Sequence, residues 1–451
     1  MIQAMRAILA TFETKLLAGS FAAMLAICVA VAYFSPLTSS SSATAAAALS
    51  QGSVDPGAYV AFDMEAYDLI QKNYWQKAAD SDMALLFQAS LEKAAATSSV
   101  ALPSKDRTGV EAMLTNAFAG KTAAEKKQLA LMIVQVALYN LTPIGRDELM
   151  TSQAQQQLQN TVNNVNPAAD LYSNLGLSKG ASVEQVDQAY AQKQTELAAT
   201  TSTQGKQELA AATAAHEVLS QPLNKSIYDQ TGAQPTVFSH TLNPHTLYIG
   251  VSSVAPTTIM EFAHALDAAS STPGLKNLVI DLRGNIGGDL DFTQQFLSLF
   301  FGPNQYAFDL FHQGDLEVQR TLNIQKMPEL TSQFREIAIL TDGQTQSTAE
   351  LTASALQHDR LAYVVGTKSR GWGSVEHVYP MTTVIDPSEK YALLLVTYLT
   401  VRGDGAPIEG NGVIPDVDVS QQGWQQKLGN YFYSSDMIAA LEKEATAEPL
   451  R

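Results

Sequence analysis

IAILTDGQTQSTAELTASALQHDRLAYVVGTKSRGWGSVE, residues 337–376, opens with a short apolar run, Ile337 to Leu340, that stops at Thr341-Asp342-Gly343. The run reads as a buried strand ended by a turn. Ser347 stands three residues before Glu350, a capping-box spacing, and Leu351, Ala355 and Leu356 recur behind it at helical intervals. The stretch is therefore a strand, a turn and a helix, with a hydroxyl on the helix's first turn. Open α/β sheets place their chemistry just beyond the carboxyl ends of parallel strands, so Ser347 is a candidate nucleophile and the amide of Thr348 a candidate donor to an oxyanion. The same spacing also suits a plain helix cap, and this stretch alone does not decide between the two.

Upstream the rhythm is that of an α/β core. Leu247–Val254 reads as a strand, Thr257–Ala269 as a helix, Leu278–Leu282 as a strand and Leu290–Phe301 as a helix with an apolar face. Strands alternating with helices imply βαβ units, right-handed crossovers and a largely parallel sheet. Asp281-Leu-Arg-Gly-Asn-Ile-Gly-Gly288 follows a strand end as Ser347 does, so the amides of Gly287 or Gly288 can meet the same substrate carbonyl as Thr348.

The composition bounds the partners. A net charge of −16 with no basic run excludes a nucleic-acid surface, which needs clustered Lys and Arg. The single cysteine, Cys28, provides neither a disulfide nor a cysteine-based zinc site, and no metal or cofactor is expected. No charge interrupts Leu16–Phe34, Arg6 and Lys15 precede it, and the next charge is Asp55. This predicts a transmembrane anchor over 16–34 with residues 1–15 cytoplasmic and the bulk of the chain extracytoplasmic, periplasmic or on the cell surface. A cleavable signal peptide processed near Ala43-Thr44-Ala45 is the rival. Residues 35–56, rich in Ser and Ala, read as a flexible linker.

Residues 57–168 follow a helical pattern: Tyr59, Phe62, Ala66, Leu69 and Ile70 share a stripe, and LALMIVQVALYNL at 129–141 reads as a buried helix. These stripes are core rather than a ligand box. Asp170-Leu-Tyr-Ser-Asn-Leu-Gly-Leu-Ser-Lys-Gly-Ala-Ser-Val-Glu-Gln-Val-Asp-Gln-Ala-Tyr190, with AAHEVLSQP at 214–222 and YDQTG at 228–232, resembles a J-domain. Where that family carries the His-Pro-Asp loop that stimulates Hsp70, this chain has Ala198, Ala199 and Thr200, and its Hsp70-facing helix keeps only Lys193 between Gln192 and Glu196. Residues 169–233 are therefore expected to be a J-like spacer or docking module without an Hsp70 contact. His216 is expected to be structural, as are His264 and His358.

Three pieces, DLRGNIGG at 281–288, STAELTASALQ at 347–357 followed by VVGTKSRGWGSVE at 364–376, and GAPIEGNGVIPDV at 405–417, resemble in order and spacing the carboxyl-terminal processing, or tail-specific, serine peptidases. The resemblance covers about residues 240–420. It implies a ClpP/crotonase-like α/β core over 234–425, preceded by all-α domains and the anchor and followed by a C-terminal helix over 426–451. No PDZ domain is recognisable; the J-like segment occupies its place. The family's nucleophile falls on Ser347 and its oxyanion amides on Thr348 and the Gly287-Gly288 turn. Its general base, a lysine in a Gly-Lys-Gly turn, falls on Trp372, whose indole cannot accept a proton near neutral pH. The family's lysine-orienting glutamine falls on Glu376.

Lys368, His377 and Glu376 are the candidate replacement bases. Strand alternation from Val375 to Tyr379 lets only one of Glu376 and His377 face the site. Related peptidases use a Ser-His-Glu arrangement, so the missing lysine does not by itself imply inactivity. Two readings follow: a membrane-anchored extracytoplasmic serine endopeptidase acting on unstructured polypeptide through an acyl-enzyme at Ser347, or an inactive scaffold of the same fold that binds a peptide ligand.

Overall fold

The computed structural model describes Asp55 and residues 57–327 and 329–449. The expected cytoplasmic tail and membrane anchor, and all of the expected linker except Asp55, lie outside these residues. Among the described residues no helix is long and apolar enough to cross a membrane.

Four helices come first: α1 (Ala58–Asn73), α2 (Asp80–Ala94), α3 (Arg107–Phe118) and α4 (Ala123–Tyr139). The expected stripe of α1, with Tyr59, Phe62, Ala66 and Ile70, packs with Leu129, Ile133, Val134 and Leu138 of α4. This helical part is not the separate all-α domain expected. Its core also takes in Ile385, Leu393 and Leu395, and the chain then forms a strand, β1 (Glu148–Met150), followed by α5 (Ser152–Val162). A three-residue strand inside a helical run has too short a period to read from sequence. Its side chains instead find separate cores, Leu149 against the helical cluster and Met150 with Leu158 and Leu394.

The next unit consists of α6 (Leu171–Asn174), α7 (Val183–Leu197), α8 (Thr203–Leu219) and α9 (Pro222–Thr231) around Tyr172, Val186, Ala215 and Leu219. His216 stacks on Tyr190 with ring centroids 4.2 Å apart and bonds Asp187 at 2.8 Å, which accounts for it structurally.

Beyond Val237 two sheets form. One contains β2 (Val237–Asn243), β3 (Thr246–Val251), β4 (Asn277–Asp281), β7 (Glu336–Thr341), β8 (Tyr363–Gly366) and β11 (Val417–Asp418), in the order β11-β8-β7-β4-β3-β2. All neighbours are parallel except β2 and β3. Its inner strands β3, β4, β7 and β8 are buried on both faces, as a sheet covered on both sides requires, while the edge strand β2 is partly exposed. Leu278 and Ile280 of β4 and Ile337 and Ile339 of β7 face one core with α10 (Thr258–Ser270), α11 (Asp291–Phe301) and α12 (Thr348–His358). The alternating Val279, Ala338 and Leu340 face the other, with α13 (Trp424–Leu428) and α14 (Ser435–Glu444). The single C-terminal helix expected is thus two, separated by a turn that brings Phe432 into the core.

The second sheet, which the sequence reading did not anticipate, is antiparallel: β1-β10-β5-β6 with β9 also on β10, where β5 is Tyr306–His312, β6 Asp315–Arg320, β9 Ser374–Pro380 and β10 Ala392–Val401. The central strand β10 carries the helical part on its inner side chains and holds β9 beside the end of the parallel sheet.

Candidate active site

β3, β4 and β7 are adjacent and parallel, so their carboxyl ends open on one edge. A web of hydrogen bonds joins the three turns that follow them. Asp342 Oδ1 accepts from the amides of Gly284 and Thr345, both at 2.9 Å, and Thr345 Oγ1 donates to Leu282 O at 2.9 Å. Asn285, fully buried, donates from Nδ2 to Val251 O at 2.8 Å and accepts through its main-chain oxygen from Gln346 N at 2.9 Å.

At the centre of this web is Ser347, with φ 53° and ψ −125°. A non-glycine residue in that region is strained, and such strain persists where the surroundings over-determine it, commonly at reacting groups. The surroundings here are tight. A Cβ added to Gly287 would lie 2.7 Å from Ser347 Cβ and 3.1 Å from Thr348 N, and Gly287 itself has φ 84°. Glycine is therefore needed at 287 for both space and conformation.

The oxyanion assignment narrows. The amide of Gly287 donates to Asn285 Oδ1 at 2.8 Å and is engaged, whereas its carbonyl accepts from Val254 N at 3.0 Å. Thr348 N, on the first turn of α12, and Gly288 N have no hydrogen-bond acceptor among the described residues, and Thr348 Oγ1 bonds Gly288 O at 3.2 Å. Gly288 and Thr348 are thus the pair of amides free to meet an oxyanion. Gly287 supplies the space rather than the donor, a role its expected place in the turn did not reveal.

Glu350 is fully buried and accepts four donors: Ser347 N at 2.9 Å, Trp372 N at 2.8 Å, Gly371 N at 2.7 Å and Ser369 Oγ at 2.5 Å. Burial pushes its carboxyl up, and these four donors pull it back. Its capping-box spacing signalled the bond to Ser347, but nothing local signalled the turn at 369–372.

The candidate bases separate. Lys368 is exposed in the loop. His377 lies on the other face of β9, beside the rings of Tyr379 and Tyr398 at 6.3 and 5.9 Å, and burial holds its imidazole below the usual histidine range. Glu376 shares its face with Ser374, whose hydroxyl donates to Oε1 at 2.6 Å. It is 1% exposed, and burial pushes its carboxyl up to about 7, against the pull of Ser374 and Arg146 and with the push of Glu409. Of Glu376 and His377, the carboxyl is the one turned toward Trp372. The Trp372 indole favours the ionised form of Glu376, but Trp372 Nε1 and Glu376 Oε2 stop short of a hydrogen bond to each other or to any other group. No hydrogen bond joins the Ser347 hydroxyl to a Lys, His, Asp or Glu side chain among the described residues. Among these residues no group of three or more His, Cys, Asp or Glu side chains is placed to hold a metal ion.

Residues 245–419 match the sequence model of Peptidase family S41. A carboxy-terminal-processing protease of Bartonella bacilliformis is 34% identical over 150 residues, covering 33% of this chain and 32% of that protein. The carboxy-terminal processing protease CtpA of Bacillus subtilis is 26% identical over 196 residues, covering 43% of this chain and 39% of that protein. The chain therefore matches well under half the length of these curated relatives. Among solved structures, the photosystem II D1 C-terminal processing protease overlays with a TM-score of 0.46 at 12% identity, covering 80% of this chain and 93% of that one. A lipoprotein from Streptococcus agalactiae gives 0.43 at 14% identity, covering 84% and 98%.

Proposed function

We propose, from the match of residues 245–419 to peptidase family S41, that the protein is a serine endopeptidase of the carboxyl-terminal processing type that cleaves unstructured polypeptide through an acyl-enzyme on Ser347. The observation that carries this reading is the strained Ser347 at the end of β7, in contact with Gly287 and flanked by the unengaged amides of Gly288 and Thr348. In the reaction Ser347 Oγ attacks the scissile carbonyl carbon while its proton passes to a base. The carbonyl oxygen gains charge between the two amides, and the proton then goes to the departing amine. Water hydrolyses the resulting ester and regenerates the hydroxyl.

Glu376 is the base this reading favours. A proton acceptor serves best when its pKa lies near the working pH, and burial brings Glu376 there. The charge-free run Leu16–Phe34, with Arg6 and Lys15 before it, supports a membrane anchor that leaves the peptidase outside the cytoplasm.

The full chain incubated with unfolded casein and with a fluorophosphonate probe, beside Ser347→Ala, tests the reading. Cleavage and covalent labelling that both vanish in the variant are expected. A second reading, a peptide-binding scaffold, is favoured by Trp372 at the family's lysine position and by the lack of a base bonded to Ser347. It takes over if the folded wild type neither labels nor cleaves yet retains unfolded casein.

A further inference from the structure

The lysine position holds an indole, yet the neighbourhood does not lack a cation. Arg146 lies between α4 and β1, outside residues 245–419, and lays its guanidinium on Trp372 with Cζ 3.4 Å from the ring centroid. Its Nη1 donates to Ser374 Oγ at 2.5 Å and its Nη2 to Glu409 Oε1 at 3.0 Å. The next residue, Asp147, accepts from Val396 N at 2.7 Å, and Val396 is the residue paired with Glu376 across β9 and β10. One short segment thus reaches both sides of Glu376.

The direction of the hydrogen bonds makes this more than a tie between segments. A guanidinium only donates, so the Ser374 oxygen accepts from Arg146 and its single proton must point elsewhere. It points to Glu376 Oε1, at 2.6 Å. One carboxyl oxygen is thereby fixed, and Oε2 is left unbonded, facing the indole. A guanidinium donates and has no acceptor for a proton, so Arg146 is not the base. What it can do is orient Ser374 and hold a positive charge beside Glu376, the service that the family's lysine and its orienting partner no longer perform here.

The geometry points to Arg146 as a positioning residue that, through Ser374 and Trp372, sets the orientation and ionisation of Glu376, so that a segment outside the S41 domain completes the site. Its bearing on catalysis rests on the peptidase reading above. The charged and titratable groups around Glu376 are Arg146 and Asp147 from this segment and Glu409 from the loop after β10. Removing Arg146 withdraws a positive charge and leaves Glu409 without its cation, and both changes make Glu376 harder to ionise, while Ser374 loses the contact that orients its hydroxyl.

The test is infrared titration of the protonated carboxyl band that is lost in Glu376→Gln, in the full chain and in Arg146→Ala. A midpoint displaced upward by about one pH unit in Arg146→Ala is expected, returning toward wild type when guanidinium chloride is added at millimolar concentration. Arg146→Gln, which keeps much of the side chain's bulk, gives the same displacement and serves if the alanine variant does not fold. If the wild type reacts with the fluorophosphonate, the rise of labelling rate with pH moves upward in step. A midpoint unchanged in both variants, or a labelling profile that ignores them, overturns the proposal. A wild type inert to the probe removes the peptidase reading, while the infrared midpoint still decides whether Arg146 governs Glu376.

Discussion

The main-chain amide of Ser347 donates to Oε2 of Glu350, and that same oxygen also accepts from the amide of Trp372. One carboxylate therefore holds the turn that carries Ser347 and the turn that carries the indole in a fixed relation. Glu350→Gln replaces one of the two accepting oxygens by a donor, which then faces donors. We expect a loss of about 1–3 kcal/mol of stability for each amide left without a partner, and a labelling rate at least tenfold lower. Urea unfolding and fluorophosphonate kinetics on the same variant check both.

Ser347 holds a backbone conformation that glycine adopts without strain. Ser347→Gly is expected to abolish labelling while stabilising the fold by about 1–3 kcal/mol. Ser347→Ala, which keeps the Cβ, abolishes labelling without that gain. Paired denaturation curves for the two variants separate relief of strain from loss of the hydroxyl.

At Gly287 the expected effect falls on the fold and on the reaction together. A Cβ there meets Ser347 Cβ at 2.7 Å, so the serine or the turn must move. Gly287→Ala should lower the labelling rate ~10²-fold, the usual result of displacing a reacting group by about 1 Å. A variant that labels at the wild-type rate would show that the turn has room the structure does not reveal.

Asp147 makes the pH dependence of stability readable. Burial pushes its carboxyl up to about 8, with the nearby Glu376 adding to the push, while Val396 N favours the ionised form. The unfolded chain ionises this group near pH 4 and the folded chain only near pH 8, so its contribution is fully present below pH 4 and is lost as the pH rises through 8. Asp147→Asn keeps the acceptor oxygen for Val396 and has no proton to lose. Its melting temperature should match the wild type at pH 4 and exceed it by a few degrees at pH 9. Melting curves across that range provide the check; an advantage that shrank as pH rose would reverse the sign and refute the account.

The parts of the site that lie at strand ends were legible in the sequence. The short apolar runs of β4 and β7 and the turn residues after them lead to Ser347, Thr348 and the Gly287-Gly288 turn, because a parallel sheet leaves only one edge for those turns. What was not legible depends on side chains from distant segments. Asn285 takes the amide of Gly287 through its own oxygen, a choice no spacing encodes. The antiparallel sheet was hidden because β6 is mostly exposed and β1 is only three residues long, so neither shows a sustained period. Arg146 sat in a connection between helices and strands where it reads as an ordinary surface cation. Only the fold brings it onto Trp372.

Arg146 and Ser374 are 228 residues apart in the chain. A contact of such sequence separation closes a very long loop, which costs chain entropy and is made only in the folded chain. The Glu376 end of the site is therefore complete only when the segment between α4 and β1 has docked beside β9 and β10. On the function proposed above, an enzyme competent before folding would be a hazard to its own unfinished copies. A site that needs the docked Arg146 segment would then ready its acceptor carboxyl only in a chain that is no longer unstructured.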